Sequence, residues 1–202
     1  MKSRCASLAA LAIAGCLGLT SCQRDPGRDV KPMTRGDGTS ASPATEIIPL
    51  DKVAKSQPAI VGQRIANTDI TITYSRPVAR GRQLFGGIVP YDEVWDPGAD
   101  QATSLAFSRD VQVNGHALRA GKYSLWVIPR TTAWTVIFSN AADAYHTPYP
   151  GEAKDALRFD VTPRAGQHTE TLTYDFPIVE GKDAELDMRW GTTVLPLSLK
   201  VP

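Results

Sequence analysis

Four carboxylates fall within nine residues of this chain: Asp92, Glu93, Asp96 and Asp100, in the stretch YDEVWDPGADQAT. Carboxylates and loop carbonyls at such density are the ligands a hard cation such as calcium takes, but the spacing matches no EF-hand loop. Aspartate beside Pro-Gly also builds turns through local hydrogen bonds, and that plainer reading is preferred. Arg76, Arg80 and Arg82 lie just upstream, within reach of pairing with these acids. Three histidines, His116, His146 and His168, would be enough for a zinc centre, and His168-x-Glu170 places two ligand types on one face of a strand. His116 follows an Asn-Gly turn and is expected at the surface, and no H-E-x-x-H signature is present. A second unusual loop, AYHTPYPGE, carries Tyr145, His146, Tyr149 and Glu152. Rings on such a loop can stack on sugars or hold a peptide, or can fold onto a sheet rim with Pro148 and Pro150 as pins. Trp126, Trp134 and Trp190 sit inside strand patterns and read as core or half-buried sheet residues rather than ligand contacts. No G-x-S-x-G elbow or glycine-rich phosphate loop occurs. No catalytic residue, metal or cofactor is therefore expected.

The elements that must position these residues have period two. TDITITYS puts Ile70, Ile72 and Tyr74 on one face and Thr71 and Thr73 on the other. ATSLAFS alternates likewise, and DVQVNGHAL carries Asn114-Gly115, a strong hairpin signal. KYSLWVIP, AWTVIFS, ALRFDVT, HTETLTYDF, AELDMRW and TVLPLSLKV follow, punctuated by Gly121, Pro129, Pro163, Gly166, Gly181 and Gly191. The only helix-like signal is a turn around Arg82 to Phe85, closed by Gly86-Gly87. Eight or nine short strands with frequent turns predict an all-β fold, an antiparallel sandwich of jelly-roll or immunoglobulin type. Pro196 in the last strand predicts an edge position or a bulge.

The first residues carry an address. Lys2 and Arg4 precede an Ala/Leu-rich apolar run, Ala6 to Leu19, which is too short for a spanning helix and has the form of an export signal. Its end, Leu19-Thr20-Ser21-Cys22, has the form of a lipobox, preferred over Ile13-Ala14-Gly15-Cys16 because the chain turns polar directly after Cys22. All three cysteines lie in this region, so the exported chain would carry one, with its thiol occupied by the lipid. Losing Lys2 and Arg4 takes the formal charge from +1 to −1. Neither value suits nucleic acid, and no basic stripe with interleaved aromatics occurs. The expected organisation is a signal over 1–21, a Pro/Gly/Ser-rich tether over 22–59 with Ile47, Ile48 and Leu50 as a short docking element, and a β-domain over 60–202.

The run YSRPVARGRQLFGGIVPYDEVWDPGADQATSLAFSRDVQVNGHALRAGKYSLWVIP, with WTVIFS after it, resembles domain-of-unknown-function family 2911 (DUF2911). The S-R-P...G-R...F-G-G-I-V-P and G-A-x-x-A-T segments carry the likeness, which extends from about Tyr74 to Val201. It implies an exported or lipid-anchored bacterial β-domain and brings no activity with it. The family pattern W-R-x-G-A-N-E-A-T places an arginine and an amide where this chain has Asp96 and Asp100.

The expected protein is a lipid-anchored component of the cell envelope whose β-domain binds or scaffolds. Its anchor is Cys22, and Gln23 after it favours the outer membrane. Partners are the membrane, through the anchor, and a glycan, a peptide or another envelope protein. A ligand surface is expected where Trp95, Asp96 and Asp100 meet Tyr145, His146 and Tyr149. The competing expectation is a metal-dependent or acid/base hydrolase using Asp92, Glu93, His146, His168 or Glu170. It requires at least two of these groups in one pocket.

Overall fold

Period-two alternation becomes sheet wherever one face can be buried. Strand β2 (Thr68–Arg76) shows this directly, with Ile70, Ile72 and Tyr74 buried and Asp69, Thr71 and Thr73 exposed. The computed structural model describes residues 55–202. The expected signal, the Cys22 anchor, and the tether with Ile47, Ile48 and Leu50 lie outside the described residues, except for the tether's last five positions.

Among the described residues, ten strands form two antiparallel sheets. β1 (Gln57–Ile65), β2, β3 (Ser104–Phe107), β6 (Gly121–Ile128), β7 (Trp134–Ser139) and β8 (Asp155–Val161) make a six-stranded sheet in that order. β4 (Val111–Val113), β5 (His116–Leu118), β9 (Arg164–Glu180) and β10 (Asp183–Lys200) make a four-stranded sheet ordered β5-β4-β10-β9. The expected sandwich is present, and the sole helical element among the described residues is a 3-10 turn, Glu152–Lys154. Asn114 and Gly115 hold positive φ of 48° and 81° in the β4–β5 turn, as an Asn-Gly hairpin demands.

Two departures have physical causes. The last two expected strands are one. Gly191, at φ 58°, absorbs a bulge between AELDMRW and TVLPLSLK, so β10 continues through it. Pro196 is therefore in an interior strand, not at an edge. The β9 ladder ends at Val194 and the β4 ladder begins at Leu199, so its missing N–H falls between ladders. β1 was not expected as a strand. Pro58 and Gly62 give it the composition of a linker, yet it pairs along its full length from Gln57↔Arg76 to Ile65↔Thr68.

One main core fills the space between the sheets, running from Ile65, Ile72 and Leu105 through Val136 and Phe138 to Leu186 and Leu197. A smaller cluster of Ala102, Trp126, Ile128 and Ile137 lies against Ala144 and Tyr149. Trp126, Trp134 and Trp190 are all buried, as expected. Asp187 is also buried, ligated by Arg164 at 2.8 Å and Arg189 at 2.6 Å, while Arg164 also reaches Glu185 and Arg189 reaches Asp175. Desolvation still pushes the Asp187 carboxyl upward, against the pull of the two guanidinium groups.

The chain switches sheets after β2. Leu172 N–H donates to Pro77 O at 2.9 Å and Ala79 N–H donates to Glu170 O at 2.8 Å, so residues 77–79 run alongside β9. This crossing fixes the upstream arginines elsewhere than on the acid-rich loop. Arg76 donates to Leu172 O and Thr173 Oγ1, and Arg82 donates to Ala79 O and Val78 O. Arg80 contributes its backbone N–H to Glu170. They do not pair with Asp92, Glu93, Asp96 or Asp100, because the sheet switch carries them to β9.

Candidate functional site

The acid-rich segment is a built loop that continues the line of β3 beside β6. Asp92 N–H donates to Pro129 O at 2.9 Å, and Trp95 and Val127 exchange N–H···O bonds of 2.8 and 2.9 Å. Asp92 and Asp100 both hold left-handed backbone, at φ 64° and 63°, which short polar side chains tolerate better than most. Asp92 pairs at the surface with Arg130 at 3.3 Å, and Glu93 is exposed. The turn-forming reading of these acids is therefore visible at Asp92 and Asp100. Among the described residues, no group of three or more His, Cys, Asp and Glu side chains is placed to hold a metal ion.

Asp96 differs from the other three acids. It is only 2% exposed; one carboxylate oxygen accepts the Thr103 N–H at 2.7 Å and the other has no partner. Pro97 O accepts both the Thr103 hydroxyl at 3.0 Å and the Tyr174 hydroxyl at 2.9 Å. Tyr174 meets Tyr74 edge to face at 4.7 Å, and its N–H donates to the Tyr74 oxygen. Gly98 is required by close approach: a Cβ there would lie 2.4 Å from Thr103 Oγ1 and 3.1 Å from Asp96 Oδ2. Desolvation pushes the Asp96 carboxyl up to about 7, opposed by the Thr103 N–H and by the charge of His146.

The two loops named from sequence do touch. Ala102 N–H donates to Ala144 O at 3.1 Å, His146 N–H to Asp100 O at 3.0 Å, and His146 Nδ1 lies 2.7 Å from the same oxygen. Their side chains then part. Asp100, Tyr145 and His146 gather at the surface, with Tyr145 50% exposed and its ring 4.4 Å from the imidazole. Trp95 turns inward and stacks on Trp190 at 5.8 Å. Tyr149 lies edge-on to Trp126 and bonds Asp155, and burial together with that bond pushes its hydroxyl up to about 12. The six residues therefore do not form one surface. His168 pairs with Glu170 at 3.0 Å, a bond that holds the Glu170 carboxyl below its usual range, and His116 stacks on Phe159.

A cleft that sequence reasoning missed opens where the sheet-switch loop, residues 79–91, meets β10. It has two lobes, of about 420 and 280 Å³, that share Phe85, Tyr91, Thr192 and Thr193. Arg82, Leu84, His168 and Trp190 line the first lobe, and Arg130, Thr131, Trp134 and Arg164 line the second. Phe85 meets Trp134 at 4.5 Å and Trp190 at 6.3 Å, and with Trp95 these rings join the cleft to the core. Tyr91 is 39% exposed and rests on Gly86, where a Cβ would lie 2.6 Å from its ring. The Trp190 indole N–H is buried and meets no acceptor. The signal for this site was present in FGGIVPY, but nothing in the sequence says that Phe85 and Tyr91 converge with Trp190 about a hundred residues later.

A family model described as "Protein of unknown function (DUF2911)" matches residues 56–199. No curated protein and no solved structure matches the chain. The matched span contains the acid-rich loop, the sheet switch and every residue of the cleft, and the chain belongs to that family, DUF2911.

Proposed function

We propose that this chain is a non-catalytic binding protein of the cell envelope, carried by a lipid on Cys22 and receiving its ligand in the cleft around Phe85 and Tyr91. The supporting observation is the cleft itself. A ring seated on Gly86 and partly open to solvent stands over hydroxyl and guanidinium groups, the combination that small-molecule sites use for contact area and orientation. The residues lining both lobes include no carboxylate and no thiol. Of the groups a hydrolase was expected to use, only His168 lines the cleft, and it is engaged by Glu170.

Titration of the full chain in detergent with soluble envelope glycan and peptide fragments, followed by tryptophan fluorescence, tests the binding role. A saturable change that Tyr91→Ala weakens at least tenfold, with the fragment recovered intact by mass spectrometry, is expected. Turnover of the fragment, or binding indifferent to Tyr91→Ala, overturns the reading. For the anchor, Cys22→Ala is expected to accumulate as unprocessed precursor, and a correctly cut soluble product would rule lipidation out.

A further inference from the structure

We propose, resting on the cleft reading above, that the ligand class is an acidic saccharide: a short uronic-acid oligomer whose ring stacks on Tyr91 and whose carboxylate is taken by Arg82. Three guanidinium groups line the two lobes, and they are not equivalent. Arg130 is engaged by Asp92 and by Thr135 Oγ1, and Arg164 by Glu185 and Asp187. Arg82 has no carboxylate partner among the described residues. Its Nε donates to Ala79 O at 2.9 Å and its Nη2 to Val78 O at 2.6 Å, which fixes the plane of the fork by main-chain contacts and leaves Nη1 without a protein acceptor. Glu170, whose charge interacts with Arg82, is already held by His168 and by the Arg80 N–H. A planar cation held in one orientation with donors to spare is suited to a carboxylate.

The remaining chemistry of the cleft suits a sugar better than a peptide. Tyr91 offers an aromatic face to the C–H face of a pyranose, and Thr131, Thr192 and Thr193 offer hydroxyls at the scale of sugar hydroxyls. Trp190 lines the same lobe as Arg82 and adds apolar surface to its wall. An extended peptide would seek an open strand edge, but residues 77–79 already occupy the edge of β9 at Glu170–Leu172.

The test compares tetragalacturonate with its methyl ester, which has the same rings but no charge, on the full chain in detergent by calorimetry. The acid is expected to bind at least tenfold more tightly than the ester, with the preference falling as salt is raised. Arg82→Gln should abolish the preference while leaving ester binding, and Arg82→Lys, which keeps the charge without the fork, should restore only part of it. Thermal midpoints of both variants report whether the loop survives, and the wild-type comparison of acid with ester stands without them. Equal binding of acid and ester, or no binding of either, overturns the saccharide-carboxylate inference and leaves the cleft reading to its broader screen. Acid binding that is unchanged by Tyr91→Ala overturns both.

Discussion

Replacing Asp96 by asparagine should reverse its effect on stability between pH 8 and pH 4.5. The side chain is 2% exposed, and burial pushes its carboxyl from the ordinary 3.8 up to about 7 in the fold. A group whose folded pKa is raised favours the fold in its protonated form. Wild-type stability should therefore fall as pH rises from about 4 through about 7, and the full penalty is present above that. The interval corresponds to about 4 kcal/mol. Asparagine keeps the oxygen that accepts the Thr103 N–H and removes the charge, but it brings amide hydrogens to the unpartnered side, costing roughly 1–3 kcal/mol. The variant should then be about 1–3 kcal/mol more stable than wild type at pH 8, or roughly 2–10 °C in Tm. At pH 4.5 it should be equal or less stable. Urea unfolding at both pH values, with m-values compared, measures the difference and cancels the titration of every other group. A variant that is less stable at pH 8, or an offset independent of pH, would refute the assignment of a buried, desolvated carboxyl.

Three further outcomes follow from the loops and the buried ion cluster. Gly87→Ala places a Cβ 2.2 Å from Gln83 O, and the main-chain shift should cost about 2 kcal/mol or more and remove ligand binding by displacing Phe85, read by thermal unfolding and titration together. Asp100→Asn should change stability by less than about 0.5 kcal/mol, whereas Asp100→Val, with a β-branched residue at φ 63°, should cost about 1–2 kcal/mol in urea unfolding. Arg189→Met removes one of the two cations on the buried Asp187 and should cost roughly 3 kcal/mol, and adding Asp187→Leu should recover part of that loss in a double-mutant cycle.

The sheet framework was legible because alternation is local. Ile70, Ile72 and Tyr74, or the Asn114-Gly115 turn, state their faces within a few residues. β1 was hidden because proline and glycine in a half-exposed edge strand look like linker. β10 was divided because a glycine at positive φ marks a bulge as readily as a turn. Sequence could not decide whether the 91–103 and 145–152 loops meet; their contact runs through backbone atoms, while the side chains named on them point to different faces. Asp96 and Asp100, the two acids singled out in the acid-rich loop, have different settings. Asp100 occupies a left-handed position suited to asparagine or aspartate alike, whereas Asp96 sits in a buried polar knot that admits no extended cation without rebuilding. Of the cleft only the FGGIVPY segment stood out in the sequence; its two walls come from opposite sides of the sandwich, and no local pattern couples them.

The sheet switch at residues 77–79 also has a kinetic consequence. Contacts such as Arg76 to Thr173, 97 residues apart, and the Tyr174 N–H to Tyr74, 100 apart, close only when the chain's two halves have met. Long closures of this kind are late and slow in β-proteins. The 79–91 loop hangs from that closure, so a binding-competent cleft is a property of the completed domain and of no partly assembled sheet. A bound ligand should accordingly retard escape from the native basin far more than it hastens entry, and the signature would be a shortened unfolding limb beside an unmoved refolding limb.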